Sequence, residues 1–253
     1  MSEPSLDSLL KSWKFDPLAV NVRKGTGTDD REVLLMRVDL GILQMETSGR
    51  PDGEKPAGRE TYYAYLQELA EEDGKNFVLN EQQCQEADRE FVQYYHRRVC
   101  WLSLQQFHRA IQDAEHTLQF MDFCKTYSPD DEWTFAHEQY RPFVLFHHTQ
   151  AKALASFDQF EDEEFAAQSA IRWLDAGLKR LEEVFQELEI EEQFEEDELV
   201  LRLRGQRDSI RKQYGVGQTL FEKLSVAIEA EDFESAARIR DELAKFEVNE
   251  LDS

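Results

Sequence analysis

The chain has 253 residues, enough for one large domain or two modest ones with real cores. Hydrophobic residues make up 41%, and seventeen Phe, eight Tyr and four Trp supply aromatic bulk, so the chain is expected to fold rather than stay disordered. A net charge of -24 repels phosphate backbones and anionic lipid, which speaks against direct nucleic-acid binding and against a membrane surface as partner.

Residues 1–14 read as a polar lead carrying Leu6, Leu9, Leu10 and Trp13. Residues 18–24 alternate apolar and polar, a Gly25-Thr-Gly27-Thr turn follows, and residues 32–46 are rich in aliphatics. This pattern predicts a β-hairpin with a long second strand, in which Gly41 marks a bulge or bend. Pro51-Asp52-Gly53 suits a tight turn. Gly25-x-Gly27 lacks the third glycine and the following helix that a phosphate cradle needs, so a hairpin turn is the better reading.

From about residue 59 the period turns helical. Tyr62, Leu66, Leu69 and Ala70 share a face, and Gly74 is the stop. Asn80 with Gln83 predicts a capping box for a helix whose stripe holds Phe91, Tyr94, Tyr95, Arg98, Trp101 and Leu102. After a break at 103–106, a partner helix carries Phe107, Ala110, Ile111, Ala114, Leu118 and Met121. Ser128 as cap and Pro129 in the first turn open one helix expected to run from 131 to about 156. Another follows from about 161 to 189. Small residues after bulky ones, Ala110 and Ala114 in the first pair, Ala151, Ala155, Ala166, Ala167 and Ala170 in the second, give these helix pairs the look of tetratricopeptide (TPR-like) units built for close crossing. A generic helical bundle is the competing reading.

Residues 182–198 hold ten acids and no base, whereas 202–212 hold five bases and one acid. The spacings Glu198–Arg202, Arg204–Asp208 and Asp208–Lys212 predict one surface helix supported by its own charges, its acidic stretch solvated. Gly215 and Gly217 are expected to end that helix and read as a hinge before the last segment. The expected division is thus a lead (1–14), a β-hairpin module with one helix (15–74), a helical body (75–190), a charged linker helix (191–216) and a terminal helical hairpin (217–253).

In that hairpin, Leu220, Leu224, Ala227 and Ile228 form one apolar stripe. Phe233, Ala236, Ala237 and Arg240, with Leu243 or Ala244, form the other. Asp232 is placed to cap the second helix and Glu234 suits its positive end. Phe233 is positioned to plug the open end between the helices, and Arg240 with Asp241 either locks the hairpin or faces a partner. Two helices this short bury too little surface to stand alone.

The core Asp232-Phe233-Glu234-x-Ala236-Ala237-x-x-Arg240-Asp241, preceded by Leu224 and Ala227, resembles the UVR (UvrB/UvrC) motif. That motif occurs at the C-terminus of UvrB, within UvrC, in some Clp-type ATPases and in McsA regulators of protein arginine kinases in bacteria. The resemblance covers about 30 residues, and the family's motif is a protein–protein contact element working by self-association or by binding a second UVR motif. It implies that Leu224, Ala227, Asp232, Phe233, Ala236, Ala237, Arg240 and Asp241 bind a partner.

The rest of the chain has no Gly-x-x-x-x-Gly-Lys-Ser/Thr loop for ATP chemistry, no nuclease centre and no Cys-x-x-Cys zinc pair. The expected protein is a non-enzymatic, mainly α adaptor without cofactor or metal, with TPR-like hairpins, a small β-containing N-terminal module and a UVR hairpin docking a UVR-bearing or other protein. A McsA-like regulator of a protein arginine kinase or Clp protease, or an accessory factor of nucleotide excision repair, are the alternatives.

Cys84, Cys100 and Cys124 read as reduced core residues, and with no signal peptide and no apolar run near the ~20 residues of a bilayer span, a cytoplasmic setting is expected. Asp113 and His116 have ligand spacing but no second pair, and His147 and His148 point to different faces, so helix-surface or pocket-edge roles are expected for them. The Arg50/Asp52 loop is the one candidate small-ligand site, against a purely structural Arg–Asp turn.

Overall fold

The computed structural model describes residues 6–251. Its described part is mainly helical: ten α-helices and a small antiparallel sheet near the N-terminus. After α1 (Leu6–Ser12), strands β1 (Asn21–Thr26), β2 (Glu32–Val38) and β3 (Gly41–Glu46) follow in the order β1-β2-β3. Gly27 to Asp30 turn the first hairpin, with Gly27 N donating to Arg31 O at 2.8 Å, as the sequence predicts. The expected long second strand is two strands instead. Val38 pairs with Gly41, so Asp39 and Leu40 form a two-residue loop and the chain folds back on itself. An unbroken aliphatic run hides this turn. Folding back sets Leu34 opposite Met45, and both reach one core with Cys100, Trp101, Ala110 and Ala151 of the helical body.

Helix α2 (Tyr62–Asp73) starts at the Thr61 cap, which accepts from Ala64 N at 3.0 Å, and stops at Gly74, whose φ is 62°. Helix α3 (Glu81–Ser103) opens on the predicted Asn80–Gln83 capping box and pairs with α4 (Phe107–Thr126). The single helix expected from 131 is divided into α5 (Asp131–Glu138) and α6 (Arg141–Gln159). Pro142 is the reason: in a continuous helix it would lack the N–H for Glu138 O and its ring would collide with that carbonyl. The cap of α5 is Asp130, accepting from Trp133 N at 2.8 Å, not Ser128.

Helix α7 (Glu163–Glu187), capped by Asp162, lies along α6. Small residues line their contact: Ala153 of α6 shares the main core with Ala167 and Ala170 of α7, and Gly177 of α7 lies against Thr149 of α6, while Ala151 faces the other way, into the core under the sheet. Gly177 lies so close to Thr149 that a Cβ would overlap its side chain. A glycine inside a helix costs about 0.5–1 kcal/mol relative to alanine, so relieving that cost would ordinarily stabilise. Here the clash dominates: Gly177→Ala is expected to lower stability by about 1–3 kcal/mol, as overpacking of cores does. Urea melting checks the sign, and a stabilised variant would contradict the packing.

Helix α8 (Glu198–Tyr214) is capped by Asp197 and ends at Gly215 in the left-handed region at φ 64°. The sequence reads it as a surface helix held by its own i,i+4 pairs. It instead buries Val200, Leu203 and Ile210 against the body, and its arginines reach outward to other elements. Arg204 bonds Glu195 at 2.6 and 2.9 Å, and Arg207 bonds Asp175 at 2.9 Å. The first of these pairs joins the acidic run to the basic stretch, and the second ties α8 to α7. Within the run, Phe194 is buried edge-on to Phe185. The chain ends in α9 (Leu220–Glu229) and α10 (Phe233–Leu251), packed chiefly against each other. No described helix is long and apolar enough to cross a membrane.

Candidate protein-docking hairpin and the buried charges behind it

Helix α9 opens on a capping box between Thr219 and Glu222. Thr219 is buried, and Arg211 of α8 is ion-paired with Glu222, which ties the start of the hairpin to the end of the body. Val216, between the two glycines, packs into the main core. The joint is therefore anchored on both sides rather than a free hinge. The turn after α9 passes through Glu231 at φ 55° and is closed by Asp232 N donating to Ala227 O at 2.9 Å. Asp232 then accepts from Ser235 N at 3.1 Å, so it caps α10 as predicted. The Ser235 side chain, and after it this N–H, hold the Asp232 carboxyl below the usual carboxylate range.

The stripes differ from those read in the sequence. On α9, Ala227 is buried and Leu224 half-buried, but Ile228 is exposed, as is Val226. On α10 the inward side is Ala236, Ile239 and Leu243, all half-buried. Phe233, Ala237 and Arg240 form a second stripe at i, i+4, i+7 that faces out. Phe233 is 70% exposed, so it does not plug the hairpin. Its place at the first position of α10, directly after the turn, sends the ring away from α9. Among the described residues Arg240 meets the neighbouring Asp241, at 3.3 Å, and both are largely exposed, so this pair does not lock the helices together. Ala244 lies among residues whose side chains are outside the description. The alanines bring the helices together, and the larger apolar side chains Val226, Ile228 and Phe233 are left on the surface.

Behind the hairpin, the body holds a set of buried charges that composition does not announce. Arg97, 3% exposed, forms a bidentate pair with Asp113 at 2.7–3.2 Å and donates through Nη1 to the carbonyls of Glu46 and Gly49. Glu90 is fully buried and accepts from the N–H groups of Tyr62 and Tyr63, at 2.7 and 3.2 Å. A carboxylate from α3 thus caps the first turn of α2. Arg50 is buried beneath its loop, with Glu86 at 2.8 Å, Asp52 at 3.3 Å and Glu90 at 3.7 Å. Burial pulls its pKa down, but these three carboxylates outweigh that and raise it. Arg50 O accepts from Gly53 N at 2.9 Å, which closes the predicted Pro51-Asp52 turn. The loop is pinned to α3 by this arginine.

The histidines expected at helix surfaces or pocket edges are largely inside. His147 Nδ1 lies 3.3 Å from Arg98 Nε, and His148 bonds Glu115 at 3.2 Å. Asp113 and His116 diverge, the first to Arg97 and the second to Glu90 at 3.0 Å. Among the described residues no group of three or more His, Cys, Asp or Glu side chains could hold a metal. The three cysteines are buried and unpaired, and burial pushes the thiol of Cys84 up to about 11 and that of Cys100 up to about 12. The sequence did place Arg98 in the apolar stripe of α3, and that was the visible sign of its burial.

No curated protein and no solved structure matches the chain. The family model that matches is UVR, the UvrB/uvrC motif, over residues 220–248. That span covers α9 and most of α10, including the outward Phe233 stripe, so the C-terminal hairpin is a UvrB/uvrC motif, a protein-interaction motif associated with DNA repair.

Proposed function

We propose that this protein is a non-enzymatic cytoplasmic adaptor whose UVR hairpin docks a UVR-bearing protein partner, with TPR-like helix pairs as the scaffold that carries it. The observation that carries the reading is the apolar surface left open on a motif built for contact: Phe233, Val226 and Ile228 are 70%, 52% and 54% exposed. Aromatic residues in such positions dominate interface energies, because burying them on binding removes large apolar area from water. The capped, salt-bridged joint fixes the start of α9 on the end of α8, which lowers the ordering cost of docking.

The test is a chain ending at Gly217, compared with the full chain for affinity to a purified UVR-motif protein. Binding is expected to vanish on truncation while the melting temperature stays within a few degrees, since α9 and α10 pack mainly on each other. A shortened chain that keeps every partner of the full one would overturn the reading.

A further inference from the structure

A second concave surface lies in the helical body, away from the hairpin. Helices α3, α4, α5 and α6 border a cavity of about 710 Å³ that is open on one side. Its walls are mainly apolar, including Phe91, Tyr95, Met121, Phe143 and Val144. Volumes of this order suit a small organic ligand.

The two ends of the cavity differ in charge. Asp88, Val92, Tyr95 and Arg98 lie on it at successive turns of α3, so Asp88 and Arg98 are separated by about 15 Å along the helix. At one end Asp88 is already engaged, accepting from Trp133 Nε1 at 3.2 Å and meeting His137 Nε2 at 2.7 Å. At the other, Arg98 is 2% exposed and lines the cavity beside Thr117. Its Nε meets His147 Nδ1 at 3.3 Å and its Nη1 donates to Thr117 Oγ1 at 3.0 Å, while Nη2 makes no hydrogen bond to any described residue. Both of those partners are neutral. The carboxylate whose charge acts on it, Asp113, is held by Arg97 in a bidentate pair.

Among the described residues, then, no carboxylate comes within ion-pair distance of Arg98. Its buried neighbours Arg97 and Arg141 do have such partners, Asp113 at 2.7 Å and Glu138 at 2.6 Å. Burial lowers the Arg98 pKa to about 10, so the guanidinium is still charged at neutral pH. Burial and the nearby Arg98 and Arg202 drive His147 down to about 3, so the imidazole is neutral and accepts the Nε proton. A buried cation that shares its only acting carboxylate with another arginine is poorly compensated for its lost hydration, and an anion reaching its free edge would complete it.

We propose that the cavity binds an apolar monocarboxylate, its carboxylate on Arg98 and Thr117 and its hydrocarbon part along Tyr95, Phe91, Met121 and Phe143. The inference stands apart from the hairpin, since none of the cavity's residues lies in the matched motif. Guanidinium and carboxylate match in geometry, and a charge-assisted bond in a desolvated site is stronger than a neutral one. At the other end Asp88 Oδ1 takes the bonds of Trp133 and His137, and its negative charge repels a second carboxylate, which sets the orientation of the ligand.

The test uses the full chain and decanoate, with decanol as the neutral counterpart, followed by calorimetry and by the emission of the cavity residue Trp133. Decanoate is expected to bind with one-to-one stoichiometry and decanol at least about tenfold more weakly. Arg98→Met should weaken decanoate by at least about tenfold, leave decanol unaffected, and melt at or above the temperature of the unaltered chain, since it removes a poorly compensated buried charge. Ala136 lies exposed at the mouth, so Ala136→Trp should fold normally and lose both ligands. Equal affinity for acid and alcohol, an Arg98→Met chain that binds decanoate unchanged, or no binding of decanoate would each overturn the proposal.

Discussion

Asp113→Ala is expected to lower the free energy of unfolding by about 3–5 kcal/mol, the cost of leaving one partner of a buried ion pair uncompensated. Asp113 is 4% exposed and both its oxygens are bonded by Arg97, which is 3% exposed. Removing the carboxylate leaves a guanidinium whose remaining contacts are the carbonyls of Glu46 and Gly49, at 3.1 and 2.8 Å, and the Tyr94 ring, whose centroid is 4.6 Å away. Those carbonyls belong to the end of β3 and to the loop after it, so the damage should extend to the seat of the sheet on α3. Replacing both charges, Arg97→Met with Asp113→Leu, should recover part of the loss, because a matched apolar pair removes the desolvation cost. Recovery should be incomplete, since the two carbonyls lose a donor. Chemical denaturation of the two variants measures this. A single variant within about 1 kcal/mol of the unaltered chain would mean that water or rearrangement replaces the pair.

Phe233→Ala should act the other way round, on binding and not on stability. A ring exposed to 70% loses little by truncation in the free protein, so the melting temperature should hold. In the complex the same ring is the largest apolar group of the outward stripe. Hot-spot aromatics are worth about 2 kcal/mol or more, so affinity for a UVR-bearing partner should fall by about thirtyfold or more. Ala237 and Arg240 on the same stripe should contribute less: the one offers little area, and the other is a rim charge whose removal shifts salt dependence more than affinity. Titration calorimetry beside thermal melting separates the two effects. A large drop in melting temperature with unchanged affinity would show that the ring serves the hairpin itself.

Several elements were legible because their signals are local. The Asn80–Gln83 box, the Gly74 and Gly215 stops, the Gly27 turn and the helical period of α2, α3 and α4 need only neighbouring residues to specify them. The UVR core is legible for the same reason, as a short run of fixed spacing that both names a motif and builds a capped two-helix turn. Where the local signal was continuous, the sequence misled. An aliphatic run from 32 to 46 is equally a long strand or a hairpin, and only the sheet's need to bury Leu34 and Met45 on one side decides. Pro142 carries a local signal for the break between α5 and α6, since a proline inside a helix removes a hydrogen bond and clashes with the preceding turn, whereas the apolar period alone runs on across it.

What the sequence by itself determined is the class, the order of helices and the identity of the terminal motif. The tertiary structure decided orientation, and with it chemistry. Phe233 is an apolar residue at helical spacing whether it faces α9 or solvent, because one turn of α10 presents both directions. The fate of a charged residue in an apolar stripe is likewise a matter of what packs against it. Arg97 finds Asp113 across the α3–α4 contact, Glu90 finds the first turn of α2, and Arg98 finds Thr117 and His147 without any carboxylate. Desolvation and counter-charge are properties of neighbours distant in sequence, so no spacing along the chain reports them.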